Sequence, residues 1–138
     1  MFNHINLNLP DKLERVTIDG KRYYKIPGED DIKLVSVTTV TSFQSAKSIK
    51  AWRERVGAEA ANLKTRRATS RGTDYHTLVE YHLKNQELPK VQPLSEFLFK
   101  FSKSELDNIN NIYALETPLY SKKLGIAGTV DCIAEYNG

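Results

Sequence analysis

The sequence predicts an α+β domain on three observations: two β-rich runs around an Asp-Gly turn near the start, a long helical middle, and a β-branched, apolar stretch towards the end. With 138 residues and 40% hydrophobic content, one domain with a core of moderate size is the ceiling. No stretch approaches the roughly 20 apolar residues of a membrane span, and the first residues lack the basic-then-apolar profile of a signal peptide. A single cysteine, Cys132, excludes an internal disulfide and a cysteine-rich zinc site. A protein that stays in a reducing, intracellular compartment is therefore expected.

Taken in order, residues 15–18 and 21–26 are rich in Val, Ile, Thr and Tyr and flank Asp19-Gly20, the strongest short signal for a hairpin. Pro27-Gly28 and the acidic residues 29–31 read as a loop, and Ser36 either caps a short helix or ends a short strand. From about Ser45 the pattern turns helical, with Ile49, Trp52 and Val56 three and four residues apart and an alanine-rich continuation past Gly57. Two helices or one bent helix fit. Thr69-Ser70-Arg71-Gly72 reads as a loop or cap, after which Tyr75, Leu78, Val79, His82 and Leu83 share one helical face. Residues 85–93 form a polar connection. A further amphipathic helix then carries Leu94, Phe97, Leu98, Phe101 and Leu106 on its expected inner stripe. Residues 112–120 and 126–136 read as two strands around a turn at 122–125, which puts the helices ahead of the C-terminal sheet. Asn137-Gly138 is again a hairpin signal, so the strand before it is expected to lie open for another strand.

The net charge of +3 is modest, but its distribution is not. Lys47, Lys50, Arg53, Arg55, Lys64, Arg66, Arg67 and Arg71 face only Glu54 and Glu59 between residues 47 and 71. Concentrated cations can neutralise phosphates and release counterions from nucleic acid. A solvated helical face is the plain alternative.

Hydrolysis of a phosphodiester needs charge neutralised at the phosphate and a hydroxide generated nearby, commonly by hard divalent cations on carboxylates with an occasional histidine. His76 and Glu80 stand four residues apart on one polar helix face bordered by Thr73 and Thr77. Asp131 sits in an apolar, β-branched run, where burial without a partner or metal would be costly. An edge-strand aspartate facing water is the alternative. Glu116, in the preceding strand, is a candidate for the same side or an ordinary exposed residue. Trp52 fits a core stripe better than a base-stacking platform, and Cys132 reads as a small core residue.

These residues occur in an order that resembles a known family. Arg71-Gly72-Thr73-Asp74-Tyr75-His76 with Glu80 is similar to the glycine-x-x-x-histidine helix motif of RecB-like PD-(D/E)XK nucleases, and Gly128-Thr129-Val130-Asp131 to their glycine-x-x-aspartate strand motif. Ser36-Val37-Thr38-Thr39-Val40, Trp52-Arg53 with Arg55-Val56-Gly57, and Glu116 through Tyr120-Ser121 extend the likeness towards the mitochondrial genome maintenance exonuclease family and its phage-encoded relatives.

The resemblance implies a single, incomplete nuclease domain. Residues 35–138 would be the N-terminal part of a restriction-endonuclease-like core, ending in an antiparallel hairpin that lacks the core's last strands, preceded by a hairpin extension over 1–34. It implies a Mg2+- or Mn2+-dependent DNA exonuclease acting on single-stranded ends. His76 and Asp131 would be metal-binding active-site residues, with Glu80 as helper and Glu116 as a further candidate. Arg66, Arg67, Arg71, Gly72 and Thr73 would contact DNA, with Gly72 allowing close approach. The family also requires an acidic-x-lysine pair on the next strand, which this sequence lacks. A second polypeptide completing the sheet and the site is therefore expected, and the chain alone is expected to be inactive. The phage-like features suggest the cytoplasm of an infected host or another DNA-containing compartment. Two rivals remain: a catalytically dead nucleic-acid-binding module resting on the basic segment, and a protein-interaction domain recruiting through an open sheet edge.

Overall fold

The computed structural model describes residues 1–138. It is a mixed α+β structure in which β1 (Glu14–Ile18), β2 (Lys21–Ile26) and β3 (Glu29–Ser36) precede α1 (Val37–Val56), α2 (Ala58–Leu83) and α3 (Pro93–Leu106). β4 (Ile109–Ser121) and β5 (Ile126–Tyr136) follow. The five strands run in the order β1-β2-β3-β5-β4. No helix is long and apolar enough to cross a membrane. Contacts group the chain into two compact units, one of Met1–Ile5, Trp52–Tyr113 and Ile133–Gly138, the other of Asn6–Ala51 and Ala114–Cys132.

In the second of these units, the Asp19-Gly20 turn closes the β1–β2 hairpin as expected. Both residues have positive φ, 50° and 73°, the type I′ geometry that matches strand twist. The acidic residues 29–31, expected in a loop, instead begin β3, which pairs antiparallel with β2 after the Pro27-Gly28 turn. Ladder bonding to β2 overrides their weak strand preference, and the side chains of Asp30 and Asp31 face solvent. Leu13, Ile26, Leu34 and Ala127 form the buried cluster, with Tyr24 packed against it.

β3 and β5 meet in parallel at Val35↔Ile126 and Ser36↔Ala127. This corrects two expectations. The sheet is not confined to the C-terminal end, and the Asp131 strand is not an edge: it lies between β3 and β4 in the strand order. Beyond Ala127, however, β3 has ended, and no strand of the chain pairs with β5 on that side. α1 starts directly after β3 at Val37, not near Ser45, and Ser36 shares a 2.7 Å hydrogen bond with Thr38 at this junction. None of its residues is buried, so the Ile49/Trp52/Val56 stripe is not a core stripe; Ile49 is exposed, while Trp52 and Val56 are half-buried.

Gly57, at φ 87°, separates α1 from α2. α2 then runs unbroken through Thr69-Ser70-Arg71-Gly72, where a loop was expected, because a single glycine in a helix costs only about 1 kcal/mol against alanine and the flanking turns absorb it. Its expected apolar face is largely realised, with Leu78 and Leu83 buried and Tyr75, Val79 and His82 half-buried. The helix ends with Asn85 at φ 58° and a Gln86 N–H bonded back to the Tyr81 carbonyl at 2.9 Å, a Schellman-type stop. The Asn85 side chain then ties down the N-terminal segment, accepting from the Phe2 N–H at 2.8 Å and donating to its carbonyl at 2.9 Å.

α3 packs on α2 the opposite way round from expectation. Leu94, Phe97, Leu98 and Phe101 are exposed, whereas Ser95 and Phe99 are buried and Ser102 and Leu106 half-buried. The inward stripe is fixed by polar anchors on either side of Phe99. The Tyr75 hydroxyl and the Ser102 Oγ are 2.8 Å apart, and the Ser95 hydroxyl donates to Asp74 Oδ2 at 3.3 Å. The Gln92 N–H donates to the same carboxylate at 3.3 Å, so Asp74 answers the positive end of α3.

Candidate functional site

β4 and β5 are joined by a tight turn in which the Gly125 N–H donates to the Lys122 carbonyl at 3.2 Å. Adjacent strands so closely connected form an antiparallel hairpin. Glu116 and Asp131 stand the same number of residues back from its two ends, Ser121 and Ile126. A side-chain oxygen of each lies within 4.8 Å of the other's.

Glu116 reaches that position on an unusual backbone, at φ 46° in the left-handed region within a strand. Such a conformation costs a non-glycine residue about 1–3 kcal/mol and persists only where its surroundings hold it. Thr117, next to it, turns its hydroxyl back to the Leu115 carbonyl at 2.9 Å, and Pro118 behind it is buried. Asp131 is exposed, as in the alternative of a strand aspartate facing water, so it carries no large desolvation cost.

Gly128, three residues before it, has a structural use: a Cβ there would meet Val37 Cγ2 at 3.2 Å, so the glycine lets β5 pass close to the start of α1. Cys132 is half-buried; burial pushes its thiol above the usual range and the neighbouring Asp131 charge adds to the shift.

His76 lies on α2 with its imidazole exposed, one turn beyond Gly72, and the Thr77 hydroxyl bonds the Thr73 carbonyl at 2.9 Å beside it. Glu80 follows on the same helix but is ion-paired with Lys84. Two exposed carboxylates facing one another, with no hydrophobic cover, suit a hard cation with oxygen ligands.

The arginines expected to contact DNA gather around a groove of about 830 Å³ on α2 and the start of α3, whose lining includes Lys64, Arg66, Arg67, Arg71, Gln92 and Leu94. Gln92 is fixed there by a 2.7 Å bond from its Nε2 to Ser70 Oγ. None of these four cations belongs to an ion pair of the chain. Gly72 sits in the helix with open space where its Cβ would be, so no protein packing requires the glycine.

Sequence reasoning did not find the chain of Lys103, Asp107 and His82. Asp107 accepts from Lys103 at 2.7 Å and lies 2.8 Å from His82 Nε2, and those hydrogen bonds, that of Lys103 foremost, hold its carboxyl below the usual range. The His82 ring is flanked edge-on by Phe2 and Phe99. The i,i+4 spacing of Lys103 and Asp107 was the readable signal. The Tyr113 hydroxyl donates to Glu135 at 2.6 Å, which raises the phenol and lowers the carboxyl. No protein-family model, curated protein or solved structure matches the chain.

Proposed function

We propose that the chain contributes to a divalent-metal-dependent nuclease of restriction-endonuclease-like type, with Glu116 and Asp131 as ligands for Mg2+ or Mn2+ and DNA as the substrate; the resemblance in sequence, and not the geometry, adds His76 to the proposed ligands. The observation that carries this reading is the convergence of the Glu116 and Asp131 carboxylates on a strained backbone. When bound, a divalent cation supplies Lewis acidity towards the phosphate and acidifies an attacking water. The chain's own residues set the geometry. The two carboxylates fix the cation's place on the hairpin.

An acidic-x-lysine strand from a second polypeptide completes the centre in this proposal. The side of β5 left free after Ala127 is where such a strand would add its main-chain hydrogen bonds.

Mn2+ titration followed by electron paramagnetic resonance tests the ligands. Asp131→Asn and Glu116→Gln are each expected to weaken binding by about 10- to 100-fold or more, and His76→Ala by about tenfold. Glu80→Gln is expected to change it less than about threefold, since Lys84 already takes that charge. Mn2+ affinity in Asp131→Asn equal to wild type would remove the metal centre. A nuclease assay on end-labelled single-stranded DNA tests the partner: cleavage is expected only with a chain supplying the acidic-x-lysine strand, and efficient cleavage by this chain alone would sink that requirement.

The alternative of a binding module without catalysis is favoured by one feature, the unpaired cations of the α2 groove. It predicts nucleic-acid affinity indifferent to Mn2+ and to both carboxylate substitutions.

A further inference from the structure

Leu94, Phe97, Leu98 and Phe101 stand at the i, i+3, i+4 and i+7 positions of α3 and form one exposed face, with Phe97 and Phe101 62% and 80% exposed. Ser95 and Phe99 fill the opposite, buried face, so the packing of α3 on α2 does not use this stripe. Apolar patches rimmed by polar groups mark surfaces that meet another molecule. At its Leu94 end the stripe runs into the groove of about 830 Å³ lined by Lys64, Arg66, Arg67 and Arg71, whose charges meet no acidic partner within the chain. On α3 itself Lys100 is paired with Glu96 and adds no free charge to the far flank.

We propose that this surface docks an acidic amphipathic helix of a partner protein, with apolar side chains against Leu94, Phe97, Leu98 and Phe101 and a cluster of carboxylates in the cationic groove. The stripe spans about 10.5 Å, two helical turns, and matches the i, i+3, i+4 and i+7 anchors of a second helix laid alongside. The α3 N-terminus is not the anion site, because the Asp74 carboxylate already answers it.

Charge and shape select among occupants. A second copy packed face to face would bring the same four cations of each chain together with no acid between them. A membrane surface is flat over these dimensions and would leave the groove unfilled. Nucleic acid would answer the cations but offer no aliphatic surface to Leu94 and Leu98. A helix with carboxylates at one end and an apolar stripe along its length answers both. The inference concerns a partner protein and does not rest on the metal reading, so the two can fail separately.

The test is fluorescence anisotropy of the full chain in EDTA with a labelled designed peptide. The peptide carries leucine and phenylalanine at i, i+3, i+4 and i+7 and glutamates clustered in its first turn, where they favour the helix. Its controls are a scrambled peptide of the same composition and one with lysine in place of each glutamate. The designed peptide is expected to bind at least about tenfold more tightly than either control, and Phe97→Ala and Phe101→Ala are each expected to weaken it about tenfold. Because both rings are exposed, the variants should keep the wild-type circular dichroism melt. Arg66→Ala combined with Arg67→Ala should weaken binding by a similar factor and flatten its salt dependence. A scrambled peptide bound as tightly as the designed one overturns the proposal, as does wild-type affinity in both phenylalanine variants. Three further results do the same: oligo(dT) binding that those variants weaken as strongly as peptide binding, sedimentation with anionic phosphatidylserine vesicles that Phe101→Ala abolishes, or a dimer that Phe101→Ala dissociates. These would assign the face to nucleic acid, a membrane surface or a second copy.

Discussion

On the β4–β5 hairpin two carboxylates stand within 4.8 Å of each other, one of them on a left-handed backbone. On α2 four cations occupy consecutive turns of a regular helix with no acid among them. Both regions concentrate one sign of charge, but they hold it differently. In water, two like unit charges at that separation repel by about 1 kcal/mol, to which the hairpin adds the strain at Glu116. The helix adds no backbone strain, and its long side chains can spread apart. The difference teaches what each is suited to: a constrained pair favours one compact counter-charge, and mobile cations favour an extended one.

The largest expected effect concerns which face of α3 belongs to the fold. Phe99 is 2% exposed and Phe101 is 80% exposed on the same helix. Phe99→Ala should cost about 3–5 kcal/mol of stability, while Phe101→Ala should stay within about 0.5 kcal/mol. Urea melts at neutral pH give both values. Similar losses for the two would mean that the apolar stripe is core after all.

Next come the two backbones. Glu116→Gly removes the side chain from a left-handed position that glycine adopts freely, so stability is expected to rise by about 1 kcal/mol while Mn2+ binding is lost. Gly72→Ala should also stabilise, by up to about 1 kcal/mol, because the site is helical and nothing lies where the new methyl goes. The informative readout for Gly72→Ala is oligonucleotide affinity. A loss without a loss of stability would mean that a ligand backbone needs the space that the protein leaves empty. If Glu116→Gly destabilises instead, the bend in β4 is held by the glutamate's own interactions and is not stored strain.

The residues that were legible and those that were not differ in kind. The Asp19-Gly20 hairpin and the β4–β5 hairpin were readable because one or two residues with special φ/ψ preferences decide each, whereas Gly57 left a break and a bend equally open. The buried face of α3 was not, because periodicity counts apolar residues, and here Ser95 and Ser102 anchor the inward face while the larger hydrophobics point out. Residues 29–31 joined a strand through pairing with β2, a long-range term that local acidity does not report. At the candidate site, Glu116 and Asp131 could be named from their place in apolar strands. The left-handed turn of Glu116 could not be, since nothing in Leu-Glu-Thr-Pro announces it. The free run of β5 beyond Ala127 likewise depends on where β3 stops.

The smallest effect concerns a single acid on the helical side of the comparison. Asp107 accepts from Lys103 and lies beside His82, and its carboxyl is held below the usual range by both, Lys103 first. A carboxylate whose folded-state pKa is lowered stabilises the protein above its unfolded value. That contribution is lost as pH falls through the lowered folded value, so the window lies below about pH 4. Urea midpoints measured from pH 7 to pH 2 should therefore fall more steeply at the acid end for wild type than for Asp107→Asn. The gap should be small, because 45% of the Asp107 side chain is exposed and water screens the pair. Raising the salt to about 1 M, where the screening length is only about 3 Å, should close most of it. Coincident curves at low salt would show that the Lys103–Asp107–His82 chain adds nothing to stability. The packing of Phe2 and Phe99 around the His82 ring would then account for its place in the structure without any contribution from charge.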